Sequence, residues 1–227
     1  MSAEELKRAA GYRAAELVSS GMVVGLGSGS TARYATLCLG EKLREGSLRD
    51  IVAIPTSEET AQLARREGIP LTTLEEHPRI AVTIDGADEV DPRLDVIKGL
   101  GGCLLREKIV AYATEREVIV VDESKMSKRL GLKSPVPVEV IQFGWRNTEA
   151  ALARTGARTA LRCIGGSSYV TDEGNYIIDC AYKGIEAPAE LAVTLNTIPG
   201  VVENGLFLGL VKTVIVASPS GVEILER

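Results

Sequence analysis

The run Gly25-Leu-Gly-Ser-Gly-Ser-Thr31 joins a short apolar stretch, Met22 to Leu26, to a segment with helical spacing that continues to about Glu45. A glycine-rich turn in that place lets backbone N–H groups approach an anion, and the start of a helix favours negative charge. Ser28, Ser30 and Thr31 add hydroxyl donors around Gly29. The run is not a dinucleotide fingerprint: counting from Gly25 and Gly27, the third glycine position is Ser30. No lysine follows it, as a Walker loop would require, so a small phosphate monoester fits better than a nucleotide. The same residues also make an ordinary strand-to-helix turn with Thr31 as helix cap, and the motif alone does not choose between the two.

Further ionisable groups stand at the ends of other apolar runs. Asp85-Gly-Ala-Asp-Glu-Val-Asp91 follows Ile80 to Ile84. Ligands of open α/β sheets gather at the carboxyl ends of strands, and Asp85 and Asp88, across Gly86 and Ala87, can bond sugar hydroxyls and pass protons there. A solvated acidic turn or a divalent-metal loop would use the same residue types; the EF-hand pattern fails, because Gly86 is misplaced and no glutamate closes a twelve-residue loop. Lys98 leads into Gly99, Leu100, Gly101 and Gly102, where its ammonium can meet a developing oxyanion. Glu107 falls in the first turn of the next helix, on the side away from Leu105, Ile109 and Tyr112. That side is either solvated or aimed into a cleft. Lys125, just past the apolar run Val118 to Val121, either adds positive charge to the same crevice or sits in solvent.

Those groups must be positioned by alternating strands and helices. Ser2 and Glu5 make a capping box for a helix from Ser2 to Ser20, closed by Gly21. Strands are predicted at Met22–Leu26, Ile51–Ile54, Ile69–Leu74, Ile80–Ile84 and Val118–Val121, with helices at Ser57–Glu67 and Leu104–Thr114 between them. Short apolar strands alternating with helices predict an α/β fold, a Rossmann-like, mostly parallel sheet with helices on both faces. After Lys133 the pattern changes. Pro135 to Ile141 reads as an edge strand because it carries two prolines, Thr148–Gly156 as a helix and Thr159–Ile164 as a strand. Tyr169 to Cys180 reads as a hairpin turning at Asp172–Asn175, and Ala187–Ile198 as a helix. This predicts a smaller inserted α+β domain over 133–205, with 1–132 and 206–227, including strands at Lys212–Ala217 and Val222–Leu225, forming the Rossmann-like domain.

Composition narrows the classes. The chain has 227 residues, 45% apolar and 25% charged, which suits globular cores. A net charge of −5 argues against a nucleic-acid partner, whose footprint is a basic face. No apolar run reaches the roughly 18 residues of a membrane span, and the N-terminus lacks the basic start and apolar core of a secretory signal, so a cytoplasmic protein is expected. The four cysteines form no C-x-x-C pair and read as buried thiols. The single histidine, His77, precedes Pro78 and builds no metal cluster, so no metal is expected. There is no G-x-S-x-G elbow either. The chemistry must come from carboxylates, lysine, hydroxyls and backbone amides.

At these residues the chain closely resembles type A ribose-5-phosphate isomerase. Gly25 to Thr31, Asp85 to Glu89, Lys98 to Gly102 with Arg106-Glu-Lys108, and Glu123-Ser-Lys125 resemble that family's four signature segments, in order. The likeness continues through Asn175 to Cys180 and Pro199 to Phe207, and Leu100 departs from it where glycine is more usual. The resemblance implies interconversion of D-ribose 5-phosphate and D-ribulose 5-phosphate without a cofactor, in the pentose phosphate pathway. It implies Glu107 as proton acceptor, substrate contacts from Ser28–Thr31, Asp85–Asp88, Lys98–Gly101 and Lys125, and a homo-oligomer, commonly a dimer. Aldose–ketose isomerisation needs a base reaching two adjacent carbons, a stabilised oxyanion and a handle on the distant phosphate. Glu107 fills the first need, Lys98 and nearby N–H groups the second, and Ser28, Ser30, Thr31 with Lys125 or Lys7 the third. Asp85 and Asp88 would shuttle hydroxyl protons or help open the ring. Two other readings compete: a non-catalytic sugar-phosphate sensor, which would need a DNA-binding module, and a coenzyme A transferase, which would use a glutamate as nucleophile.

Overall fold

The computed structural model describes residues 2–227. Chain order runs α1 (Ala3–Ala15), β1 (Val23–Leu26), α2 (Ala32–Arg44), β2 (Val52–Pro55), α3 (Glu58–Arg66), β3 (Ile80–Gly86), β4 (Glu89–Val90) and β5 (Val96–Ile97). Then come α4 (Leu104–Tyr112), β6 (Thr114–Asp122), a single 3₁₀ turn (Glu123–Lys125), β7 (Val136–Val140), α5 (Trp145–Ala153) and β8 (Arg158–Leu161). The remainder is β9 (Cys163–Ile164), β10 (Ser167–Ser168), β11 (Tyr176–Ala181), α6 (Pro188–Asn196), β12 (Val201–Asn204), β13 (Leu206–Phe207), β14 (Val211–Ser218) and β15 (Gly221–Glu226). These elements fall into two compact units. The first holds residues 2–87, 106–125 and 209–227, and the second holds 88–105 and 126–208.

The first unit is a six-stranded sheet in the order β15-β14-β6-β3-β1-β2, parallel except for the edge strand β15. Side chains alternate across it as a doubly covered sheet requires. Val24 and Ala53 join Leu6, Ala10 and Ala14 of α1 and Ala35 and Leu39 of α2 in one apolar cluster. Their neighbours Val23 and Ile54 turn to the other face and pack with Val110 of α4. Helices thus cover both faces, as expected. The predicted capping box is present: Ser2 accepts from the Glu5 N–H, and Glu5 accepts from the Ser2 N–H. The helix nevertheless ends at Ala15, because Leu17 and Val18 donate three residues back and tighten the chain out of the helix. Ile69–Leu74, predicted as a strand, makes only a single bridge, Leu71 to Ala53. Pro70 cannot donate to a ladder there.

The second unit contains a four-stranded antiparallel sheet, β12-β7-β11-β8, and a three-stranded one, β13-β5-β4. The latter draws residues 88–105 into this unit, so the division differs from the expected one at 132/133 and 205/206. β7 is interior, not the predicted edge, and its one proline, Pro137, is tolerated for a geometric reason. The Pro137 carbonyl accepts from the Gly205 N–H, so the proline's missing donor faces the same side, beyond Asn204, the last residue of β12 to pair with β7. The predicted hairpin over 169–180 keeps its turn, where the Thr171 N–H donates to the Asn175 carbonyl, and its second arm as β11, but its first arm is not a strand; a separate short hairpin, β9–β10, precedes it. The turn of β9–β10 is Gly165-Gly166, both with positive φ (60° and 83°), the backbone that a two-residue hairpin turn demands. Of the cysteines, Cys38 and Cys180 are buried as expected, whereas Cys163, on β9, is exposed.

Two buried carboxylates organise this unit. Glu89 is fully buried and accepts from four backbone N–H groups, those of Gly131, Leu132, Lys133 and Ser134, at 3.0–3.2 Å. Glu139 on β7 is 1% exposed and accepts from Thr171 Oγ1 at 2.9 Å and Asn175 Nδ2 at 3.0 Å. Burial raises the Glu139 carboxyl above its ordinary value, and the two hydrogen bonds only partly oppose this. A carboxyl raised on folding favours the folded state below its unfolded value and loses that contribution as pH rises through the folded value. Glu139→Gln is therefore expected to gain stability relative to the native chain between about pH 5 and about pH 8. Urea unfolding midpoints at the two pH values measure this; parallel shifts in both proteins would contradict it.

Candidate active site

In the first unit the site begins where the sheet order reverses direction. β2 lies on one side of β1 and β3 on the other, and the turns after the carboxyl ends of these parallel strands open onto the crevice such a switch creates. Gly27–Thr31 follows β1, Gly86 and Ala87 close β3, and Lys125 follows β6 in the 3₁₀ turn, all at the same edge. Asp85, at the end of β3, is 1% exposed, and its Oδ1 accepts from the Ser28 N–H (3.0 Å) and the Gly86 N–H (2.7 Å). This close approach requires glycine at 27, where a Cβ would lie 2.3 Å from the Asp85 carboxyl and 2.4 Å from its Cα. Gly25 is held the same way against Thr83.

The Ser28 hydroxyl points into the protein. It lies 2.8 Å from Thr56 Oγ1, 2.8 Å from Ser57 Oγ and 3.2 Å from Thr60 Oγ1. Thr56 in turn donates to the Leu26 carbonyl and Thr60 to that of Gly27, while Ser57 caps α3. The cluster thus fastens both ends of β1's exit to the start of α3. Ser28 serves the shape of the turn, leaving Gly29 and Ser30 exposed, with Gly29 at φ 96°. Thr31 stands at the N-cap of α2 but makes no side-chain cap bond, so the plain helix-cap reading fails for its hydroxyl.

Sequence reasoning missed two cations here. A pocket of about 420 Å³ beside the turn is lined by Gly29, Ser30, Arg33, Thr60 and Arg66 among others. Arg33 lies in the first turn of α2, which carries no acidic residue there. A guanidinium at a helix start opposes the helix dipole, and that is the signal that could have marked it.

Glu107 is in the first turn of α4 and only 5% exposed. The helical wheel is inverted relative to expectation: Ile109 is 48% and Tyr112 84% exposed, so the solvated-face reading of Glu107 is overturned. The adjoining Arg106 donates to Glu58 Oε1 at 2.8 Å, and Arg106 holds the Glu58 carboxyl below its ordinary value. Since Glu58 follows Ser57, the starts of α3 and α4 are tied together at the edge that carries the Ser28 turn.

In the second unit, Asp88 and Lys98–Gly101 come together. The Asp88 Oδ2 accepts from the Leu100 N–H at 2.9 Å, and the Lys98 N–H donates to the Gly205 carbonyl at 3.0 Å. Lys98 is 2% exposed, with its Nζ 5.6 Å from the centre of the Phe207 ring, a cation–π contact. A Cβ at Gly205 would lie 2.3 Å from the Lys98 carbonyl oxygen, so glycine permits this pairing. Leu100 stands outward, 41% exposed. Among the described residues no group of three or more His, Cys, Asp or Glu is placed to hold a metal ion, and no helix is long and apolar enough to cross a membrane.

Glycine turns and a buried acid at the carboxyl ends of a mostly parallel sheet suit an enzyme that acts on a small anionic substrate. The comparisons make this specific. Residues 52–221 match the family model for ribose 5-phosphate isomerase A (phosphoriboisomerase A). A curated relative, the ribose-5-phosphate isomerase A of Gloeobacter violaceus, is 54% identical over 226 residues, spanning 99% of this chain and 97% of its own. A solved D-ribose-5-phosphate isomerase in complex with phospho-erythronic acid aligns with TM-score 0.97 at 42% identity, covering 100% of both chains. The ribose 5-phosphate isomerase A structure of Methanocaldococcus jannaschii aligns with TM-score 0.94 at 43% identity, again over 100% of both. The chain belongs to the ribose 5-phosphate isomerase A family. It is an isomerase of ribose 5-phosphate, and the sensor and coenzyme A transferase readings are set aside.

Gly27→Ala is expected to lower the unfolding free energy by about 1–3 kcal/mol, because the added methyl must displace Asp85 and its backbone. An unchanged urea midpoint would show that the turn does not need this contact.

Proposed function

We propose that the chain interconverts D-ribose 5-phosphate and D-ribulose 5-phosphate through an enediolate, in the non-oxidative branch of the pentose phosphate pathway, with Glu107 as the base. The observation that carries this is a carboxylate that is 5% exposed on a helix that leaves Ile109 and Tyr112 in solvent. Burying a carboxylate costs free energy that the sequence could have avoided by exchanging the two faces, which supports a chemical role. Glu107 takes the proton from the carbon beside the carbonyl, the bonding pair becomes the enediolate, and the same carboxyl returns a proton to the neighbouring carbon.

Lys98 and N–H groups of the following turn stabilise the oxyanion. Gly29, Ser30 and Thr31, with Lys125 or Lys7, hold the phosphate, so that remote binding energy orients the reacting carbons. Asp85 and Asp88 pass hydroxyl protons or assist ring opening, held in place by their N–H partners. Ser28, Gly86, Ala87, Gly99, Leu100 and Gly101 complete the substrate-contacting segments through their backbone. The reaction uses no cofactor, and the working form is a cytoplasmic homodimer.

Glu107→Gln is expected to lower kcat by at least about 10² while folding and substrate affinity persist. Proton NMR of ribose 5-phosphate in deuterated water reads the reaction directly, since turnover places deuterium on the carbon next to the carbonyl. Near-native exchange by a folded Glu107→Gln protein would remove Glu107 from the role.

A further inference from the structure

We infer that Arg162 is a positioning residue for the isomerase reaction proposed above: by holding two carbonyls of the Lys98–Gly102 turn it presents the Gly101 N–H as a donor to the substrate oxyanion. Arg162 follows β8, and its side chain is 10% exposed. Its Nε donates to Asp179 Oδ2 at 3.0 Å and its Nη2 to the other carboxylate oxygen, a fork-to-fork pair. The remaining Nη1 donates to the Gly99 carbonyl at 2.8 Å and the Leu100 carbonyl at 3.0 Å. An apolar side chain would fill the same volume without the cost of drying a guanidinium. What only arginine supplies is a planar set of donors that spans one carboxylate and two successive carbonyls.

The turn's geometry gives those bonds a consequence. The Gly102 N–H donates to the Gly99 carbonyl at 3.0 Å, making a four-residue turn with Leu100 and Gly101 at its centre. Within a planar trans peptide the C=O and N–H point in opposite directions. With the Leu100 oxygen on Arg162, the Gly101 N–H points away from the guanidinium, on the side where the Leu100 N–H meets Asp88. No acceptor among the described residues takes the Gly101 N–H, and the space where a Cβ of Gly101 would stand is open. Glycine offers little resistance to rotation of this peptide. Without the arginine the unit can turn over, presenting an oxygen where an anion must be met.

The test uses the full-length enzyme. Arg162→Ala is expected to lower kcat about 10–100-fold with KM changed less than about threefold, the pattern of a lost transition-state donor. Phospho-erythronic acid, the ligand bound to a solved relative, carries a carboxylate where an enediolate would carry charge, and its affinity should fall along with kcat. Millimolar guanidinium chloride should restore part of kcat in Arg162→Ala, which a merely structural defect would not permit. If that variant does not fold, Arg162→Lys and Asp179→Asn carry the test, each expected to lower kcat about tenfold at near-native KM. An unchanged kcat in a folded variant, or a loss confined to KM, overturns the assignment. Native turnover of ribose 5-phosphate is the control: its absence would defeat the parent reading whatever Arg162 does.

Discussion

Irregular backbone at a binding site must keep its own polar groups satisfied while leaving donors for a ligand, and this chain meets that demand with carboxylates. Asp85 takes the N–H groups of Ser28 and Gly86, Asp88 takes that of Leu100, and Glu89 takes four from 131–134. Each acid therefore sets which N–H groups turn inward. In the first unit the arrangement also explains the glycines at 25 and 27, since strand ends can close on Thr83 and Asp85 only where no side chain intervenes. The hydroxyl cluster of Ser28, Thr56, Ser57 and Thr60 extends the same logic to the start of α3.

A second theme is the exchange of faces on α4. Ile109 and Tyr112 are given to solvent while Glu107 is taken in, against the ordinary hydrophobic preference. The protein compensates with core elsewhere: β6, directly after this helix, has Val118, Ile119, Val120 and Val121 essentially inaccessible. Local sacrifice beside a strongly buried sheet is how a site can violate the patterning that builds the rest of the fold.

Much of this was legible in the sequence. The parallel strands, their helices and the Ser2 cap follow from apolar spacing and turn chemistry, and the strand-end clustering of Gly27–Thr31, Asp85 and Lys125 follows from them. Three features were hidden for identifiable reasons. Ile69–Leu74 has strand composition, but Pro70 leaves it a single bridge. Pro137 in β7 points to an edge only if both sides of the strand need every donor, and β12 stops before Pro137 would be asked for one. The burial of Glu107 and the ties of Arg162 are set by tertiary context, because a helical wheel cannot say which face meets a crevice and an arginine's partners lie 17 and about 60 positions away.

The order of the six-stranded sheet bears on synthesis. β14, residues 211–218, lies between β6 and β15, so β6 keeps an uncovered edge of valines and isoleucine until translation has passed the whole of 126–208. An exposed apolar strand edge is a template for pairing with other chains. The nascent polypeptide thus passes through a long interval on the ribosome in which the Val118–Val121 run has one edge unpaired, and the late strands close that edge only when they arrive.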